Sequence, residues 1–315
     1  MRHAVVTPRS AAMRRLFPWG FSIQKILYAV RREPFAGRHL LVGSDYGGDH
    51  KKSRYNTYAF LVVGDRPSRW LSLQREIRQR HFTDSRRISF KRLSDPQRRA
   101  ALVPFLQAAH ELPGHLVAFV VHKSVSLYPP SEIKTNWAKE LFGLSAEWKK
   151  RPSLYEAVRK AHLFSLLVSQ WSRPLMDVTW ISDEDQFVAN EKRLDDAQQI
   201  AARLSSLYLP HTLREFAMNT TRMDGPGLEF EDLVAIADLT AGMLAELSST
   251  LAKNASWSDF NGRHSLNSDE VQQKSELIAD WFWHPWATLG RTCIVIDRVG
   301  QKSRVFKLDM LEGQG

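Results

Sequence analysis

The chain has 315 residues, 43% of them hydrophobic and 25% charged, an ordinary globular composition that excludes a disordered or fibrous protein. Lysine and arginine number 44 against 34 aspartates and glutamates, a balance that favours polyanionic partners and says nothing about fold. The single cysteine, Cys293, excludes an intramolecular disulfide and a cysteine-rich zinc site and fits a reducing cytoplasm. No run reaches the roughly 20 apolar residues of a membrane span. The arginine-rich N-terminus lacks a small-residue cleavage site behind an apolar core, so no signal peptide and a cytoplasmic location are expected.

Residues 1–38 read as a basic arm carrying Arg14, Arg15, Arg31 and Arg32. Ile23, Ile26, Leu27 and Val30 follow an i, i+3, i+4, i+7 spacing that predicts a short amphipathic helix docked on the body. Residues 39–64 read as a hairpin. Leu40, Leu41 and Val42 lead to Asp45, a basic turn runs from Gly47 through Lys51 and Lys52, and a second apolar strand covers 58–63. Aspartate is depleted in strands. Asp45 is therefore either the start of an Asx-turn or a metal ligand held on a rigid element.

A helix bearing Arg75, Arg78 and Arg80 is expected over 70–82, and the alternation of 86–93 predicts a third strand whose polar face, with Lys91 and Arg92, is basic. Ser94 before Pro96 reads as an N-cap, and Leu102, Phe105, Leu106 and Ala109 as the buried stripe of the helix it starts. The apolar run 115–122 predicts a strand buried on both faces, with His122 and Lys123 at its end. An irregular insertion (128–152), a helix (154–171) and a strand (176–181) follow, the last running into Asp183 and Asp185. A helix over 191–207 comes next, and 213–219 reads as a further strand or an extended crossing segment. The break at 225–227 precedes a helix over 230–247 with an acidic first turn suited to its dipole, and Asp238 stands inside its apolar stretch. A polar linker (253–267), a tryptophan-rich helix with Trp281 and Trp286, and two strands (292–299 and 304–308) close the chain.

Acids thus fall at the end of the first strand, after the last core strand and inside the late helix. Carboxylates on elements far apart in sequence are what a two-metal phosphoryl-transfer site draws together. The segments GSDYGGD (43–49), FVVHKS (119–124) and EDLVAIADLTAG (231–242) resemble the ribonuclease H-like fold, and more narrowly the bacterial domain-of-unknown-function family DUF thirty-eight-hundred, over residues 38–248. The resemblance implies an α/β fold: a ribonuclease H-like mixed five-stranded sheet flanked by helices, with its acidic centre on Asp45 and Asp238. In such nucleases the fourth strand ends with an acid beside the first-strand aspartate. Here that place, the end of the fourth strand, holds His122 and Lys123. Either Asp183 or Asp185 supplies the missing ligand, or the copy is weak or inactive.

The expected organisation is a basic helical arm (1–38), a core (39–250) and a C-terminal helix with a hairpin (251–315). The candidate Mg²⁺ or Mn²⁺ ligands are Asp45, Asp183, Asp185 and Asp238, with His122 and Lys123 beside them. Lys51, Lys52, Arg54, Lys91 and Arg92 are candidate contacts to nucleic-acid phosphates. Each has a plain alternative: a turn cap for Asp45, a salt bridge for Asp238, a helix cap for Asp183 and Asp185, and a solvated face for the basic residues. The function expected is a divalent-metal-dependent nuclease. The alternative is a catalytically inactive ribonuclease H-like module that binds nucleic acid or a partner protein.

Overall fold

Two hydrophobic strands joined by a glycine turn begin the central sheet: β2 (His39–Gly47) and β3 (Tyr55–Val63) are neighbours, as the hairpin reading expects. The structure is a computed structural model that describes residues 4–7, 18–30, 35, 37–51, 53–64, 68–82, 84, 86–125, 144, 148, 151–184, 187–251, 257, 272–284, 288–299 and 302–308. Asp185, Lys52, Trp286, the linker 253–267 apart from Trp257, and nearly all of the insertion 128–152 lie outside the described residues. The chain divides into two compact units, residues 1–42 with 126–223 and residues 43–125 with 224–315. β2 passes from the first into the second.

The first unit holds β1 (Ala4–Val6), α1 (Pro18–Val30), the start of β2, and then α4 (Arg151–Trp171), β5 (Asp177–Ser182), α5 (Glu191–Tyr208) and β6 (Leu213–Thr220). Its strand order is β1-β6-β5-β2. β1 is antiparallel to β6, and β5 is parallel to it with Val178 opposite Phe216. The hydrophobic stripe of α4 lies on this sheet, with Phe164 stacked on Trp180 at 4.2 Å between ring centres. Asn190 starts α5 by accepting the Arg193 N–H at 2.9 Å.

The second unit holds the end of β2, β3, α2 (Ser68–His81), α3 (Pro96–Ala109), β4 (Gly114–His122), α6 (Glu229–Leu251), α7 (Gln273–Trp283), β7 (Gly290–Val299) and β8 (Lys302–Leu308). Its order is β2-β3-β4-β7-β8. β3 is antiparallel to β4, β7 is parallel to β4, and β8 returns antiparallel along β7. β4 is buried along almost its whole length, as its unbroken apolar run requires. By length and composition α6 could cross a bilayer, contrary to the expectation that no run approaches one. It is a core helix instead, packed on β3, β4 and α7.

The fold is therefore α/β with a mixed sheet, and it departs from the expectation in three places. The described residues give the sheet eight strands, not five. β1 comes from the presumed arm, and β7 and β8 come from the presumed extension. Residues 86–93 are not a strand: 86–89 have no regular structure and Phe90–Arg92 form a 3-10 turn. Side chains occupy the backbone groups a strand would offer a neighbour. Arg98 Nε donates to the Arg87 carbonyl at 2.7 Å, Arg78 Nη1 to the Arg86 carbonyl at 3.3 Å, and Asp238 accepts the Phe90 N–H at 2.6 Å. Asp95, not Ser94, caps α3 by accepting the Arg98 N–H at 3.0 Å, with Pro96 in the first turn.

Candidate functional site

Removing the misread strand renumbers the core. Counting from β2, β4 is the third strand and β5 the fourth. His122 and Lys123 therefore end the third strand, and the fourth, a hydrogen-bonded neighbour of β2, is followed by Asp183. In the first unit Asp183 is half-buried and accepts the Glu184 N–H at 2.7 Å, while the helix cap weighed for it falls to Asn190.

Asp45 and Asp238 both belong to the second unit, and two glycines fix how α6 meets β2. A Cβ on Gly43 would stand 3.5 Å from Val234 Cγ2, and one on Gly47 would stand 3.0 Å from the Ala241 carbonyl and 3.3 Å from the Ala245 methyl. Only a strand without side chains at these points admits the helix so closely. Strand residues two apart share a face, so Asp45, between the two glycines, lies on the α6 side. It is 9% exposed. Val234, Asp238, Ala241 and Ala245 fall along one stripe of α6 by helical spacing, which sets Asp238 on the turn opposite Asp45. The Asp238 carboxylate also binds the Phe90 N–H. Its partner is thus a backbone amide, not the salt bridge weighed as its plain alternative.

The acids near the start of α6 are spoken for. Asp232 is buried and takes hydrogen bonds from Arg78 Nε and Nη2 at 2.6 and 2.5 Å and from Gln74 at 2.6 Å. Glu231 pairs with Arg87 at 3.3 Å.

A second cluster closes the ends of β4 and β7. Tyr55 faces His122 across the β3–β4 pair, with ring centres 4.9 Å apart. Asp297 lies one residue beyond the Val121–Ile296 pair and so beside His122. Tyr55 donates its hydroxyl to Asp297 Oδ1 at 2.8 Å, and burial together with that carboxylate raises the phenol pKa. His122 Nδ1 receives the Ser124 N–H at 3.2 Å and lies 2.7 Å from the Ser124 hydroxyl. A backbone amide only donates, so Nδ1 is the unprotonated nitrogen, and it is not open to a metal. Burial lowers the His122 pKa and keeps the ring neutral at neutral pH. Lys123 Nζ donates to the His50 carbonyl at 2.8 Å and braces the β2–β3 loop. Lys51 and Arg54 are exposed on that loop, and Lys91 and Arg92 are exposed on the 3-10 turn rather than on a strand face.

Sequence reasoning passed over Asp297, Tyr55 and Phe90. Asp297 carried the signal that exposed Asp45, an acid closing an apolar strand. The sequence pattern does not single it out, because it assigns that strand to the C-terminal extension.

No protein-family model matches the chain, and no curated protein matches it. Among the described residues no group of three or more histidines, cysteines or acids is placed to hold a metal ion. The donor set at β2 and α6 is a pair of hard carboxylates. That fits Mg²⁺ or Mn²⁺, which one or two carboxylates hold together with waters and substrate phosphates, better than it fits an all-protein cage.

Proposed function

We propose that the chain is a divalent-metal-dependent nuclease of ribonuclease H-like type, acting on the phosphodiester backbone of nucleic acid. The observation that carries the reading is Asp45 on the α6 face of β2, opposite the turn of α6 that bears Asp238. A bound Mg²⁺ or Mn²⁺ would supply an activated water and neutralise charge on the phosphodiester. Asp45 and Asp238 are the residues that would hold it.

The protein's own contribution is positioning. Asp45 sits on a rigid strand, and the Phe90 N–H fixes the orientation of the Asp238 carboxylate, as partners of metal ligands commonly do. The neutral His122 ring and the braced β2–β3 loop keep the carboxyl ends of β2 and β4 in place. Lys51, Arg54, Lys91 and Arg92 supply cationic contacts for the backbone.

One observation favours the second reading, a ribonuclease H-like module that binds nucleic acid or a partner protein without cutting. The hydrogen bond from Phe90 gives Asp238 a purely structural use. Titration calorimetry separates the two, with Mn²⁺ injected in the presence of a phosphorothioate oligonucleotide. The nuclease reading expects binding to the wild type that Asp45→Asn weakens at least about tenfold, or about 1.4 kcal/mol. Equal binding to both proteins, or none to either, leaves the binding module.

A further inference from the structure

The arginines around Asp238 are mostly committed to carboxylates: Arg75 to Glu229, Arg78 to Asp232, Arg80 to Glu76, Arg86 to Asp84 and Asp95, and Arg87 to Glu231. Among the described residues, three cations at the Phe90–Arg92 turn itself are not. Lys91 and Arg92 are exposed on the 3-10 turn, and Lys274 reaches the same turn from α7. Among the described residues none of the three has a carboxylate partner. Lys274 Nζ lies 4.0 Å from the centre of the Phe90 ring and 3.4 Å from the Phe90 carbonyl. Phe90 in turn gives its N–H to Asp238 at 2.6 Å. Gly242 locks the turn in place, because a Cβ there would fall 2.3 Å from Phe90 Cγ. The uncommitted positive charge is therefore held on a fixed turn whose other end grips the candidate catalytic carboxylate.

We infer that Lys91, Arg92 and Lys274 form the phosphate-contact patch that seats a nucleic-acid backbone beside Asp238, with Lys274 supplied by the C-terminal helix. This rests on the nuclease reading for what happens next, but the contact itself is independent of cleavage. A lysine drawn over an aromatic ring keeps its ammonium partly desolvated and ready to exchange that weak partner for a phosphate oxygen. Unpaired cations on a surface that otherwise pairs its arginines match a ligand that brings its own negative charge. The affinity they supply is independent of base sequence and falls with salt.

The test is fluorescence anisotropy of a short labelled single-stranded DNA in EDTA across a salt series, with the full chain. The wild type is expected to bind, with log affinity falling linearly in log salt. Lys91→Ala, Arg92→Ala and Lys274→Gln are each expected to flatten that slope by about 0.7, one phosphate contact apiece. Lys274→Arg is expected to retain the wild-type slope, and so is Arg80→Ala, which removes an exposed but paired cation. Lys274→Gln keeps a donor for the Phe90 carbonyl, so an unchanged thermal melt shows that its effect is not one of folding. Absent wild-type binding, or slopes that Lys91→Ala, Arg92→Ala and Lys274→Gln leave unchanged, overturns the inference. If the slopes flatten as expected but Asp45→Asn leaves cleavage intact, the contact patch stands and the catalytic reading fails.

Discussion

Arg78 and Gln74 close three hydrogen bonds on Asp232 at 2.5 to 2.6 Å, inside the second unit. Asp232 is 1% exposed and cannot turn to water for replacement partners. Breaking a buried pair from one side leaves the other charge uncompensated, at a cost of about 3–5 kcal/mol. Arg78→Met should lower the urea-unfolding free energy by that amount, and a loss below about 1 kcal/mol would show that the carboxyl is already neutral there. His162 makes the opposite use of burial in the first unit. Its ring stacks on Tyr208 at 5.4 Å, its Nε2 lies 2.6 Å from the Tyr208 hydroxyl, and burial pushes its pKa down to about 3. The unfolded chain takes up this proton below about pH 6.5 and the folded chain does not, so stability falls as pH drops from there toward 3. The slope is about 1.4 kcal/mol per pH unit for this group. Urea midpoints of the wild type and His162→Gln, measured from neutral to mildly acid pH, should converge as the wild type loses this stability. Parallel midpoints would contradict the assignment.

At the scale of elements, the 3-10 turn Phe90–Arg92 shows where pattern and structure part. Alternation along 86–93 reports which side chains face inward, and Ile88 and Phe90 are indeed buried. It does not report who receives the backbone hydrogen bonds. Here Arg78 and Arg98 on the flanking helices and Asp238 from far along the chain receive or supply them. The strands and helices whose backbones bond within themselves or to a near neighbour were legible, from the hairpin to β6. The three-residue β1 was too short to carry a pattern. Gly242→Ala tests how firmly the turn is seated. The new methyl must displace the Phe90 ring, and overpacking of this kind costs about 1–3 kcal/mol. An unchanged urea midpoint would mean that the turn yields freely and does not fix Asp238.

For the whole molecule, the candidate acids Asp45 and Asp238 are visible because they interrupt apolar runs. What could not be read was the order of strands. Nothing in the local sequence says that the strand after α4 becomes the neighbour of β2 or that the C-terminal strands add to β4. In that order His122 and Lys123 end the third strand counted from β2, where Lys123 braces the β2–β3 loop. The excess of ten positive charges gains meaning only when the paired arginines are set aside and the uncommitted cations are located.

The measurement that bears most directly on the account is cleavage of end-labelled DNA and RNA, single- and double-stranded, in Mn²⁺ by wild type, Asp45→Asn and Asp238→Asn. Asparagine keeps an oxygen to accept the Phe90 N–H, so the fold survives while the charge is removed. The account predicts cleavage of at least one substrate by the wild type, its abolition by EDTA, and loss in both variants at unchanged thermal stability. Cleavage that persists in both variants, or no wild-type cleavage of any substrate despite binding, would contradict it.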